Sequence, residues 1–289
     1  MGRVLVTGAA GMLGSELLLS APRGSEAVGT DLAPGVQAPG VDLADAGALS
    51  RLFREHGPFT GVIHCAAWTA VDLAEEREAD ALRVNAQATR ELARACAGAA
   101  IPLVAVSTDF VFDGRARRPY REDDAPAPLS AYGRTKLAGE RAALEEHPRG
   151  ARIVRTQWLY GPRGKHFPGT IAALARSKPE LKVVDDQRGS PTTTLELAPA
   201  LWDVLARGEA GIYHAACEGS CTWFELARAT LELCGIGTPL RPCSTAEFPR
   251  PAHRPAYSVL DCARLARLRG RTLLPWREAL ARFLEQNPL

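Results

Sequence analysis

An α/β fold, a doubly wound parallel sheet carrying a smaller C-terminal lobe, is the architecture this sequence predicts. Two observations carry that expectation. Through the first half, short and continuously apolar runs rich in β-branched residues alternate with longer stretches of helical periodicity. That is the pattern of strands covered on both faces by crossover helices. After Gly161 the rhythm weakens. Residues 1–160 are therefore expected to form the sheet domain, and residues 161–289 a lobe interleaved with it. A chain of 289 residues suits about two domains.

The elements follow in order. Val4–Thr7 reads as a buried strand closed by Gly8, and a helix follows over Met12–Ser20. Glu26–Thr30 is a second strand, ending at Asp31. Ala48, Leu49, Leu52 and Phe53 share one face of a helix over Ala46–His56. Gly61–His64 is a third strand, and a long helical stretch over Ala74–Ala97 is broken near Val84. Pro102 precedes a fourth strand, Leu103–Ser107. A proline-rich loop over Pro119–Pro128 leads to a helix at Ala131–Glu146 and a fifth strand at Arg152–Thr156. Beyond it, short strands near Lys182–Val184 and Ile212–His214 alternate with helices near Leu195–Leu205 and Trp223–Leu233. Pro239–Pro255 reads as irregular and Trp276–Glu285 as a terminal helix. Parallel strands joined this way require right-handed crossovers.

Composition narrows the function. Hydrophobic residues make up 46% and charged residues 24%, as in ordinary globular proteins. With 35 Lys+Arg against 33 Asp+Glu the net charge is +2, so no electrostatic reason favours nucleic acid or an anionic membrane as partner. No stretch of about 18 uninterrupted apolar residues occurs, nor a cleavable signal pattern. The seven cysteines form no CxxC, and nothing completes a zinc site around Cys217 and Cys221. They read as buried free thiols of a cytoplasmic protein.

Gly8, Gly11 and Gly14 form G-x-x-G-x-x-G directly after the first strand and into the first helix. Glycine lets the backbone turn tightly and approach a ligand closely. The helix start then offers unpaired N–H groups and a positive dipole end to a pyrophosphate. This is a Rossmann-type nucleotide site, with spacing that differs from G-x-G-x-x-G. Asp31, at the end of the second strand, suits a ribose 2′-hydroxyl, and no Arg follows to meet a 2′-phosphate, which leans toward NADH over NADPH.

Tyr132 and Lys136 lie one helical turn apart on one face. A tyrosine of pKa about 10 is a poor acid–base catalyst near neutrality. A nearby ammonium favours the phenolate, so Lys136 is expected to lower the Tyr132 pKa. Thr108 follows the fourth strand, at the end that borders the ligand crevice of a doubly wound sheet, where its hydroxyl can bond a reacting carbonyl oxygen. His64 reads as a packed histidine, and no G-x-S-x-G elbow supports hydrolase chemistry.

Together these motifs resemble the extended short-chain dehydrogenases/reductases, and within them the dTDP-4-dehydrorhamnose reductase family. The resemblance runs nearly the full length: TGAAGMLG, HCAAWTAVDLAE from His64, STDFVFDG from Ser107, YGRTKLAGE from Tyr132, RTQWLYG from Arg155, DQRGSPT from Asp186, RPAYSVLDCARL from Arg254 and PWREAL from Pro275. It implies that Gly11, Met12 and Leu13 lie along a cofactor pyrophosphate, that Asp31 meets the adenosine ribose, and that Asp42 and Leu43 meet the adenine. Ala67, Trp68 and Thr69 would flank the nicotinamide side. Tyr132 would be the catalytic acid supported by Lys136 and Thr108, and Thr108, Asp109 and Trp158 would contact a nucleotide sugar. Arg254 or Arg188 suits its diphosphate.

The activity implied is reduction of a nucleotide-linked 4-keto-6-deoxy sugar, dTDP-4-dehydrorhamnose, by NADPH or NADH. A homodimer is a family-level expectation. Some members hold Mg²⁺ through glutamates. Glu16, Glu196 and Glu285 are the counterparts here, and they read instead as solvated helix-face carboxylates, so no metal is assigned. Met12, Trp68 and Phe110 stand where the family usually has Gln, Tyr and Tyr. Two other functions are weighed. A nucleotide-sugar epimerase would hold its cofactor tightly, while the dehydratases' Asp-Glu pair is incomplete, since Asp109 is followed by Phe110. A non-catalytic, cofactor-binding regulator like the methionine adenosyltransferase β subunit is the other, and retention of Thr108, Tyr132 and Lys136 argues against it.

Overall fold

The computed structural model describes residues 2–289. Its strands are β1 (Arg3–Thr7), β2 (Glu26–Thr30), β3 (Gly61–His64), β4 (Leu103–Thr108), β5 (Ala151–Thr156), β6 (Leu159–Tyr160), β7 (Leu181–Val184), β8 (Arg188–Gly189), β9 (Thr192–Thr193), β10 (Gly211–His214), β11 (Cys221–Thr222) and β12 (Leu240–Cys243). The helices are α1 (Met12–Leu19), α2 (Ala46–His56), α3 (Val71–Glu76), α4 (Glu78–Leu82), α5 (Ala88–Gly98), α6 (Ala131–Glu146), α7 (Phe167–Ser177), α8 (Thr194–Arg207), α9 (Trp223–Leu233), α10 (Ala263–Arg269) and α11 (Trp276–Gln286).

Six strands form one parallel sheet in the order β10-β5-β4-β3-β1-β2. Successive side chains in a strand point to opposite faces, and each face has its own core. Val4, Val6, Ile63, Val104 and Val154 pack with Leu13 and Leu17 of α1 and Leu197, Leu201 and Leu205 of α8. Their neighbours Leu5, Val62, Leu103 and Ile153 pack with Leu49 and Leu52 of α2 and Leu92 and Cys96 of α5. Continuous apolarity in the strands is the consequence of these two covers. The strand order reverses between β1 and β3, the point where such sheets open a crevice at their C-terminal ends.

Several segments differ from the sequence expectation, among them α7 and α10, which are not expected as helices. The stretch expected as one helix, broken near Val84, comes as α3, α4, a π-helical segment over Arg83–Gln87 and α5. The π segment holds Asn85, whose side chain is engaged outside the helix. Within the run read as irregular, β12 pairs in parallel with β7. The second half also returns to the main sheet, because β10 extends it beyond β5 and α8 covers one face. What remains packs around Leu226, Ala229, Leu280 and Phe283 and around Ile171, Leu181 and Leu231. All seven cysteines are free thiols. No described helix is long and apolar enough to cross a membrane.

Candidate active site

The C-terminal ends of β1, β3, β4 and β5 open on a cavity of about 770 Å³. Gly8, Gly11 and Gly14 line it, with Met12 and Leu13. Gly8 sits at φ +66°, and a Cβ there would lie 2.6 Å from the Ala66 nitrogen. A Cβ on Gly14 would lie 2.1 Å from the Gly8 carbonyl oxygen. Only glycines allow this close turn. Gly11 caps α1 without a side-chain hydrogen bond, and the first turn holds no acidic residue. An uncapped helix start beside a glycine turn fits a dinucleotide pyrophosphate.

Asp31 is anchored to that turn. Its carboxylate accepts the Ala10 N–H and the Ala33 N–H, both at 3.0 Å. Asp42 and Leu43 line the same cavity. Asp42 accepts the Ala44 N–H at 3.0 Å and is ion-paired with Arg83 of the π segment. Hydrogen bonding from that guanidinium holds its carboxyl below the usual carboxylate range.

Thr108, Asp109, Tyr132 and Lys136 line the cavity together. Ser130 starts α6 by accepting the Gly133 N–H, and Tyr132 and Lys136 follow on that helix. The Thr108 hydroxyl donates to Asp109 Oδ1 (3.0 Å) and accepts the Phe110 N–H (3.2 Å). Phe110 meets Tyr132 edge to face, with centroids 5.5 Å apart. Lys136 is buried, and its Nζ donates to the Val106 carbonyl at 2.8 Å.

The expected lowering of the phenol by Lys136 does not occur. Burial pushes the Tyr132 hydroxyl up to about 12, the Thr108 hydroxyl partly offsetting this and Asp109 adding to it. Burial also draws the Lys136 ammonium down to about 8, against the attraction of Glu140. Desolvation dominates both groups, and the pairing that spacing suggested contributes to neither shift. Asp109 is buried, its Oδ2 has no partner among the described residues, and burial raises its carboxyl to about 6.

Ala67, Thr69 and Trp158 line the cavity, but Trp68 does not. Asn85 grips the Trp68 main chain at both ends: Oδ1 accepts its N–H (2.8 Å) and Nδ2 donates to its carbonyl (3.2 Å). The indole then packs with Tyr132 against Ala74, Ala81 and Ala131, its Nε1 donating to the Ala70 carbonyl. Arg254 and Arg188 also lie off the cavity lining. Arg254 makes a two-pronged contact with Asp72 at 2.9 and 3.1 Å, and Arg188 reaches Glu225 at 3.3 Å. Their carboxylate partners, invisible in sequence, claim both. His64 is buried between the Thr7 and Thr89 hydroxyls. Among the described residues no cluster of three or more His, Cys, Asp or Glu is placed to hold a metal ion.

A family model, RmlD substrate binding domain, matches residues 2–288. The dTDP-4-dehydrorhamnose reductase of Streptomyces griseus is 44% identical over 284 residues, covering 96% of this chain and 91% of that protein. The chain belongs to the dTDP-4-dehydrorhamnose reductase family. Its fold matches the solved Clostridium acetobutylicum dTDP-4-dehydrorhamnose reductase with a TM-score of 0.93 at 38% identity, covering 99% and 100% of the two chains. The Bacillus anthracis dTDP-4-dehydrorhamnose reductase, solved in complex with NADP, matches with a TM-score of 0.92 at 35% identity, covering 98% and 99%.

In this member of the dTDP-4-dehydrorhamnose reductase family, three supports of the site escaped the sequence reading. Asn85 holds the Trp68 loop from a distorted helix, and the break near Val84 was its one sequence trace. Arg83 pairs with Asp42 across the chain. Glu140 and Arg155 form a buried ion pair behind Ser107. Arg155, directly after the apolar pair Ile153-Val154 and beside Thr156 at the crevice end of the strand, is the available signal for the last.

Proposed function

We propose that this chain reduces the 4-keto group of dTDP-4-dehydrorhamnose to give dTDP-rhamnose, with NADPH or NADH as the reductant. One observation carries the reading: Thr108, Tyr132 and Lys136 line the same cavity as the uncapped glycine turn.

Gly8, Gly11, Met12, Leu13 and Gly14 hold the cofactor pyrophosphate in this reading, Asp31 its adenosine ribose, and Asp42 and Leu43 its adenine. Ala67, Thr69 and Lys136 serve the nicotinamide side. When bound, the nicotinamide supplies a hydride to the sugar. Tyr132 is the acid in this reading: burial keeps its phenol protonated near neutrality, although a raised pKa by itself makes it a weaker proton donor. Thr108 turns its hydroxyl to that oxygen, and Asp109 and Trp158 contact the sugar nucleotide. Placement of both reactants in one crevice supplies much of the rate gain.

Residues 1–160 serve the cofactor, and residues 161–289 serve the sugar nucleotide apart from β10 and α8. The seven free thiols support a reducing compartment, the cytoplasm. A homodimer is the assembly the family suggests. The decisive assay follows oxidation of NADPH and of NADH in the presence of dTDP-4-dehydrorhamnose. Oxidation dependent on the keto sugar is expected, and its absence with every nucleotide-linked keto sugar overturns the reading.

A further inference from the structure

Trp158 lines the cavity in a backbone conformation that bulky side chains rarely adopt, φ +49°. Such a conformation persists only where the surroundings over-determine it. Here the surroundings are specific. The Trp158 indole stacks face to face on Trp223, with centroids 3.6 Å apart and planes 9° from parallel. Gly189 is also close, where a Cβ would lie 2.6 Å from Gln157 Oε1 and 2.7 Å from the Trp158 ring. The Trp158 carbonyl accepts the Thr192 N–H at 3.2 Å, tying its main chain to the start of β9.

Trp223 is itself fixed. It is the first residue of α9, after a reciprocal cap in which Thr222 accepts the Glu225 N–H and Glu225 accepts the Thr222 N–H. Its Nε1 donates to Gln187 Oε1 at 3.1 Å, and Gln187 Nε2 donates to Thr245 Oγ1 at 2.9 Å. Phe167 packs on it at 4.6 Å. Among the described residues lining the cavity, Trp158 is present while Trp223, Gly189 and Gln187 are absent. Anything Trp223 does for a ligand there passes through Trp158.

We propose that Trp223 is a positioning residue for the sugar nucleotide: with Gly189 it clamps the Trp158 indole as one wall of the substrate side of the crevice. The proposal rests on the reading of Trp158 as a sugar-nucleotide contact. Specificity for the sugar nucleotide is thereby set partly from the second lobe, by a residue that does not reach the cavity.

Trp223→Leu, Trp223→Phe and Gly189→Ala test it by steady-state kinetics and by calorimetric titration with dTDP-rhamnose. Trp223→Leu is expected to raise KM for the keto sugar about tenfold, with kcat and the KM for NADPH within about twofold of wild type. Trp223→Phe keeps an aromatic face and restores most of the loss. Gly189→Ala crowds the same indole together with the cavity-lining Gln157 and is expected to raise the KM for the keto sugar in the same sense. Combining Trp223→Leu with Trp158→Leu adds little to Trp158→Leu alone, since neighbours acting as one unit are not additive. An unchanged KM in Trp223→Leu, or parallel loss of kcat, both KM values and the unfolding midpoint, overturns the positioning role while wild-type turnover stands. A wild-type protein that neither turns over the keto sugar nor binds dTDP-rhamnose overturns the functional reading, and this proposal with it.

Discussion

Arg155 grips Glu140 through two nitrogens, at 2.9 and 2.7 Å, with both side chains no more than 3% exposed. The pair lies behind the site. Glu140 stands one turn beyond Lys136 on α6 and also accepts the Ser107 hydroxyl, and Arg155 is the register partner of Ser107 across β4 and β5. Ser107 precedes Thr108, so this ion pair supports the strand end that brings Thr108 to the cavity.

Removing one partner of such a pair leaves a buried charge without compensation. Glu140→Ala is expected to lose about 3–5 kcal/mol of folding stability. Replacing Glu140 and Arg155 together with apolar residues of similar volume should cost far less. Urea unfolding of the single and double variants checks this, and an equal loss in both would show that the charges themselves are not the issue.

Tyr132→Phe removes the proposed acid and keeps the ring against Phe110. Turnover is expected to fall by about 10²–10⁴-fold, with cofactor binding and unfolding midpoint retained. Stopped turnover together with lost cofactor affinity would instead mark the phenol as a binding group.

Asp109 gives a pH signature. Its carboxyl ionises at about 6 in the folded protein and at about 4 when unfolded. Below pH about 4 both states are protonated and no penalty arises. As pH rises toward 6 the unfolded chain ionises first, so folding loses up to about 3 kcal/mol, and the loss levels off above the folded value. Asp109→Asn removes that slope. Comparing urea midpoints of wild type and variant at acid and neutral pH checks it; parallel curves would place the titration elsewhere.

Asp31 lines the cavity beside the glycine turn, and in the proposed reading it accepts a ribose 2′-hydroxyl and opposes a 2′-phosphate. Asp31→Ala is expected to weaken NADH binding about tenfold, the weight of a hydrogen bond to a charged group, while sparing NADPH. Fluorescence titration with both cofactors decides this, and equal loss for the two would assign Asp31 to holding the turn through the Ala10 N–H.

The sheet and its site motifs were legible because their cause is local. Apolar runs of strand length, glycines at turn spacing, Ser130 as a helix cap and the Tyr132–Lys136 spacing depend on residues near one another in the chain. Five of the six sheet strands, the glycine turn and the Thr108–Tyr132–Lys136 group could be placed in order from sequence. The sixth strand, β10, was seen as a strand but not as part of that sheet. Its membership depends on pairing with β5 across more than fifty residues, for which the sequence carries no pattern.

What only the tertiary structure decided is which charges meet and what water reaches. Asp72 claims Arg254, Arg83 claims Asp42, and Asn85 turns Trp68 away from the cavity, each through contacts between distant segments. The direction of the Tyr132 shift belongs here too. Spacing says that an amine is near, but the Lys136 Nζ is turned to the Val106 carbonyl, and burial, set by the whole packed crevice, raises the phenol. By itself the sequence determined the family, the Rossmann-type sheet and the residues gathered at its crevice, because local periodicity and motif order suffice for these. Electrostatics and side-chain direction are properties of the closed three-dimensional surface, and only folding sets them.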